Sequence, residues 1–122
     1  MIVAGLLVGG AAGACLRHFV DRLVQDRHRR NFPLGTLVIN VSGSFLLGFL
    51  AGWAEHHGVS APWQTFGGTG ITGAFTTFST FSYDTVALAE SGRWATAGRN
   101  VAFSLVFSLA GVALGLALGI HL

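Results

Sequence analysis

Residues 73–85 read GAFTTFSTFSYDT, with rings at Phe75, Phe78 and Phe81 and six aliphatic hydroxyls, Thr76, Thr77, Ser79, Thr80, Ser82 and Thr85, among thirteen positions. An aromatic ring has a positive edge and a hydroxyl donates a hydrogen bond, so edge-on rings and hydroxyls can touch one anion together. Two other stretches carry matching chemistry. Thr36, Asn40, Ser44, Gly48 and Gly52 recur every four residues, and Asn100, Ser104 and Ser108 lead into Gly111, Gly115 and Gly119. On helices, each series forms one face, polar at one end and small at the other. A serine in an apolar helix can equally bond back to its own backbone, which leaves any single hydroxyl open to that plainer role. Asn40 is the firmest anchor, because an amide in hydrocarbon needs partners. The two stripes suggest a hydrophilic path with no lysine or arginine placed on it to trap an anion.

The elements that position these residues follow from composition. The chain has 122 residues, 52% hydrophobic and 10% charged, with seven arginines and no lysine; its mean hydropathy is +0.63. Soluble domains carry about 25% charged residues, so a soluble fold is excluded. At about 20 residues per crossing, the length fits one domain, residues 1–122, of four membrane helices. These are expected over about 2–24, 34–53, 62–90 and 95–120. Arg17 and Asp21, four apart near the end of the first, are able to pair. Ser60 is placed to cap the third segment, with Pro62 in its first turn. The start of the chain lacks the basic stretch of a secretory signal, and its first apolar run reads as a retained helix.

The third segment should not be one clean helix. Gly67, Gly68, Gly70 and Gly73, followed by β-branched and aromatic residues, are poor helix formers. Irregular backbone at membrane depth survives only when buried in protein or lining a cavity. A break is expected near residues 73–77, with Gly73 turning the chain, inward-pointing carbonyls fit for a hard cation, and the three phenylalanines along one side of the half-helix that follows. The glycines at positions 5, 9 and 13, and at 111, 115 and 119, form ridges for close helix packing.

Several look-alikes fail. GTGITG, residues 68–73, has the glycine spacing of a dinucleotide fingerprint but lacks the preceding strand and the acidic residue about 20 positions on. His56 and His57 have no third ligand nearby, and no nucleophile–base or paired-carboxylate arrangement falls at membrane depth, so the chain is not an enzyme. Cys15 is single and reads as a small buried hydrophobe. The sequence pI near 9.5 comes from arginines at predicted membrane edges, which argues against nucleic acid as a partner.

The motifs GTLVINVSGSFLLG (35–48), GITGAFTTFSTFS (70–82) and GGAAGACLR (9–17) resemble those of the Fluc/CrcB fluoride channels, in order and spacing along the whole chain. The resemblance implies an all-α integral membrane protein of the cell inner membrane, four helices with the third broken near its middle, assembling as an antiparallel dimer. It implies passive fluoride export that relieves fluoride toxicity. Asn40 would be the pore asparagine, Phe78 and Phe81 the two rings beside the ion, and Ser104 and Ser108 the polar track, with Thr36 and Asn100 as further members. The carbonyls of Gly73 and Thr76 would hold a structural sodium ion at the dimer interface. Asp84 stands where many members have glutamate.

Two other functions compete. A small multidrug exporter, also a short four-helix dimer, needs an acidic residue in its first helix, and residues 2–16 contain none. A non-transporting assembly subunit leaves Asn40 and the polar stripes unexplained. Orientation is a further question. Four crossings place both termini and the 55–61 loop on one side without arginine. Arg22, Arg27, Arg29, Arg30 and Arg93 fall on the other side, with Arg17 and Arg99 leaning toward it. The positive-inside rule then puts the termini outside, whereas an antiparallel homodimer needs both orientations. A heterodimer with an oppositely oriented paralogous subunit is the alternative.

Overall fold

The computed structural model describes residues 1–27 and 32–122, and every regular element among them is helical. Helix α1 spans Ile2–Arg27, α2 Leu34–His57, α5 Ser79–Glu90 and α6 Trp94–His121. Between α2 and α5 lie a single turn, α3 (Ala61–Gln64), a π-helix (Thr65–Thr72) and a second short turn, α4 (Gly73–Phe75). Three stretches, Ile2–Val24, Leu34–His57 and Trp94–His121, are long and apolar enough to cross a membrane. Arg29 and Arg30, which weigh on the expected orientation, lie outside the described residues.

The expected loops are shorter than the sequence suggests. Helix α2 continues to His57 and stops at Gly58, which takes the left-handed conformation (φ 63°, ψ 38°) and returns its amide to the Ala54 carbonyl. Glycine adopts that geometry without steric cost and commonly ends helices. Ser60 stands at the N-cap with Pro62 in the first turn, as expected, but its side chain makes no cap bond. Instead Gln64 Nε2 donates to the Val59 carbonyl at 2.6 Å.

Packing inverts the pattern of a soluble protein. Among the described residues the buried apolar side chains are few, Ile39, Ala54, Leu88 and Ala97, while Thr36, Thr72, Thr77, Asn100 and Ser104 are also buried. Large apolar groups such as Leu7, Phe19, Leu105 and Leu114 face outward. Lipid is as apolar as leucine, so helices associate here through close fit and polar bonds rather than water exclusion.

The glycine ridges supply the close fit. A β-carbon on Gly9 would fall 2.9 Å from the Phe66 carbonyl oxygen, and one on Gly13 would fall 3.1 Å from the Phe75 nitrogen, so α1 lies directly on the π-helix and α4. Helices α2 and α6 meet in the same way. A β-carbon on Gly48 would reach within 3.0 Å of the Leu116 nitrogen, and one on Gly115 within 2.8 Å of the Phe49 nitrogen.

The expected change of direction falls at the end of the expected 73–77 stretch, at residues 76–78, but arises by different means. Gly67, Gly68 and Gly70 belong to the π-helix, where the Thr72 hydroxyl also bonds the Gly67 carbonyl at 2.9 Å. Gly73 is ordinarily helical (φ −62°, ψ −39°) and uses none of its extra freedom. The residue that leaves the helical region is Thr76 (φ −75°, ψ 159°), and residues 76–78 are non-helical. Phe75 therefore precedes the interruption, Phe78 sits at it and Phe81 follows, rather than all three lining one half-helix.

Candidate functional site: an uncharged cavity at an interrupted helix

What holds the interruption open is Asn40. Its Nδ2 donates to the Thr77 carbonyl and its Oδ1 accepts from the Thr77 amide, both at 2.8 Å. One side chain thus satisfies both polar groups of a residue that has left the helical ladder, where each unpaired group would cost several kcal/mol in lipid. The Thr77 hydroxyl continues the work: it accepts from the Thr80 amide at 3.2 Å, the geometry of an N-cap for α5. The same hydroxyl donates to Thr80 Oγ1 at 3.1 Å.

These diversions free two carbonyls. In a continuous helix the Gly73 oxygen would take the Thr77 amide and the Thr76 oxygen the Thr80 amide; both amides now bond side chains. The Gly73 oxygen keeps a long contact from the Thr76 hydroxyl, 3.4 Å, and the Thr76 oxygen accepts from Arg17 Nη1 at 3.4 Å. Arg17, spaced so that it could pair with Asp21, reaches the interruption.

A cavity of about 490 Å³ opens against this junction. Its wall includes Asn40, Ser44, Thr77, Phe78, Phe81, Ser104 and Ser108, set among Leu47, Leu105, Leu109 and Val112. No charged side chain is among the described residues that line it. The Phe78 and Phe81 rings are 5.9 Å apart between centroids and tilted by 45°. Helix α5 begins at this wall, so the positive end of its dipole faces the cavity. Hydroxyls, an amide, ring edges and a helix N-terminus can surround an anion without a fixed charge.

Five residues expected on the path therefore share one cavity: Asn40, Phe78, Phe81, Ser104 and Ser108. Thr36 and Asn100 do not line it. The Thr36 hydroxyl donates to Asp84 Oδ2 at 3.2 Å, and the fully buried Asn100 donates from Nδ2 to the Thr85 hydroxyl at 2.8 Å. Some hydroxyls take the plainer role, as Ser42 bonds the Val38 carbonyl at 2.6 Å and Ser82 the Phe78 carbonyl at 2.9 Å. Ser104 does not: its buried Oγ has no partner among the described residues. The sequence signalled neither the cap at Thr77 nor the reach of Arg17, because both depend on where the helix stops.

A second, larger recess of about 840 Å³ lies between the latter half of α2 and the stretch from α3 to Thr76. Leu47, Leu50, Trp53 and Trp63 line it, with Gly73 and Thr76 at one end. Cys15, expected to be buried, is exposed.

A multi-pass helical membrane protein with an uncharged, hydroxyl- and phenyl-walled cavity is the class these features define. Residues 4–116 match the family described as CrcB-like protein, Camphor Resistance (CrcB), and the chain belongs to that family. It is 46% identical over 121 residues to fluoride-specific ion channel FluC 1 of Frankia casuarinae, covering 93% of this chain and 92% of that one. It is 42% identical to fluoride-specific ion channel FluC 2 of Nitrobacter hamburgensis, over 96% of this chain and 95% of the relative. The fluoride-specific ion channel FluC of Vibrio cholerae is 40% identical over 93% of this chain and 91% of its own.

Proposed function

We propose that the chain is the subunit of a fluoride-selective channel of the bacterial inner membrane that lets fluoride leave the cell passively. The observation that carries this reading is the cavity that gathers Asn40, Phe78, Phe81, Ser104 and Ser108 without a charged residue. Fluoride is small and strongly hydrated, so a pore must replace its water with donors already in place. The serine hydroxyls, the ring edges and the amide hydrogen of Asn40 that Thr77 does not use supply them. No fixed charge binds the ion too tightly to let it go. The family and the names of its relatives support fluoride as the ion. They also leave the multidrug exporter and the assembly subunit without support.

In this reading residues 61–90 make a fourth crossing, interrupted at 76–78, and two copies assemble antiparallel. The recess that ends at Gly73 and Thr76 receives the second copy. The freed Gly73 and Thr76 carbonyls suit a hard cation, and the contact of Arg17 occupies only one of the two lone pairs on the Thr76 oxygen. A sodium ion bound there would supply structural cross-linking between copies, each chain giving two oxygens. A homodimer is favoured over a heterodimer because every expected pore residue is present in this one chain. Labelling cysteines placed at each terminus, in a background lacking Cys15, should then show access from both sides. Purely one-sided access, together with inactivity of the purified chain alone, would favour the heterodimer.

The test of function is a fluoride-electrode assay on liposomes containing the purified protein. Fluoride-loaded vesicles should empty once potassium is allowed to follow, while chloride-loaded ones retain their anion. Equal loss of chloride would overturn the assignment.

A further inference from the structure

Helix α5 carries the Phe81 ring yet is weakly anchored by apolar packing, since Leu88 is its one buried residue and is itself 9% exposed. What fixes it sideways are two polar bonds on consecutive residues. Thr36 of α2 holds Asp84, and Asn100 of α6 holds Thr85. The second bond continues further. The Thr85 hydroxyl donates to the Phe81 carbonyl at 2.8 Å, so its single proton is committed and it must accept from Asn100 Nδ2. That chain of two donors fixes the orientation of the Asn100 amide and runs from α6 to the backbone of the residue whose ring lines the cavity. Successive hydrogen bonds polarise one another, so Asn100 strengthens the grip of Thr85 on Phe81.

We propose that Asn100 is a positioning residue that acts on the cavity through Thr85, setting where the Phe81 ring stands, rather than a group that touches the ion. This rests on the channel reading for its functional consequence, but the linkage itself does not. Asn100 is completely buried and outside the cavity wall, and its remaining acceptor, Oδ1, has no partner among the described residues. Its neighbour one turn on, Ser104, lines the cavity directly, so the two positions of the same stripe do different work.

A double-substitution cycle tests this. Asn100→Leu removes the donor while keeping the branching of the side chain, and Thr85→Val removes the hydroxyl while keeping the branched shape. Polar bonds between membrane helices are individually modest, so each change should slow fluoride efflux from liposomes about threefold to tenfold. The double variant should be no slower than the slower single variant, and Thr85→Ser, which keeps the hydroxyl, should restore near-normal efflux. Independent effects that multiply in the double variant, or normal efflux in Thr85→Val, would overturn the proposal. The same cycle read by thermal unfolding of the purified protein separates this claim from the channel reading. If the unmodified protein moves no fluoride, the channel assignment fails; unfolding shifts that overlap rather than add still support the Asn100–Thr85 linkage, and strictly additive shifts refute it.

Discussion

The seam between α2 and α6 and the junction around residues 76–85 solve the same problem by opposite means. Along the seam, Gly48 and Gly52 on α2 and Gly111, Gly115 and Gly119 on α6 bring two unbroken backbones into contact. At the junction the backbone is interrupted and individual side chains take over: Asn40 on Thr77, Thr77 on Thr80, Asn100 on Thr85, Thr36 on Asp84. The seam is periodic, redundant and indifferent to any one hydrogen bond. The junction has no repeat, and most of its parts have one tie each. A membrane protein can therefore be rigid along most of its length and still keep a short stretch where single atoms decide function.

Breaking the seam should be the most damaging change. A β-carbon on Gly115 would run into the Phe45 carbonyl and lie 2.8 Å from the Phe49 nitrogen, both backbone atoms that cannot swing aside. Gly115→Val should destabilise by about 3 kcal/mol or more and abolish recovery of folded protein, read by size-exclusion profile and thermal unfolding. A normally folded Gly115→Val protein would mean that the seam is looser than described.

Asn40→Asp attacks the junction instead. It keeps an acceptor for the Thr77 amide but sets a carboxylate oxygen against the Thr77 carbonyl and adds a charge that repels an anion. Losing such a buried bond costs about 2–3 kcal/mol, equivalent to roughly 30- to 160-fold in rate. Efflux should collapse while the helical circular-dichroism signal persists. Retained efflux would remove Asn40 from both of its roles.

The rings come next. Phe78→Ile and Phe81→Ile keep an apolar side chain and lose the positive edge, so each should slow efflux by up to about tenfold without altering the unfolding temperature of the protein. Normal efflux in both would reduce the rings to packing. At the small end, a β-carbon added at Gly98 on α6 would meet nothing within 4 Å. Gly98→Ala should stabilise the helix by about 0.5–1 kcal/mol, visible as a slightly higher unfolding temperature at unchanged efflux.

The contrast also explains what could be foreseen. Glycines at every fourth position and long apolar stretches are repeated signals, and the close approaches at Gly13, Gly48 and Gly115 follow from them. Helical class was legible for the same reason, whereas Asn40, Phe78, Phe81, Ser104 and Ser108 lie on separate elements and were linked beforehand by two polar stripes and a motif resemblance; they line one cavity. The interruption was harder. Four glycines drew attention to residues 67–73, but glycine tolerates a π-helix as readily as a break. The chain instead leaves the helix at Thr76, where Asn40 offers a better partner for Thr77 than the ladder does. Asn100 and Thr36 belonged to the right stripes and yet sit behind the wall, because a stripe specifies a face and not how far along it the cavity extends.

Asn40 behaves as a peptide group detached from any main chain: one N–H and one C=O on the same carbon, presented to a backbone that has lost both partners. Only asparagine and glutamine among the encoded side chains carry that pair, and no single-nucleotide change converts an asparagine codon into one for glutamine. Every one-step mutant at this position therefore loses the paired grip at once, and the longer glutamine, reached only in two steps, would have to pass through such a variant. The position is closed to gradual exploration, whereas the outward-facing leucines around it can drift one methylene at a time.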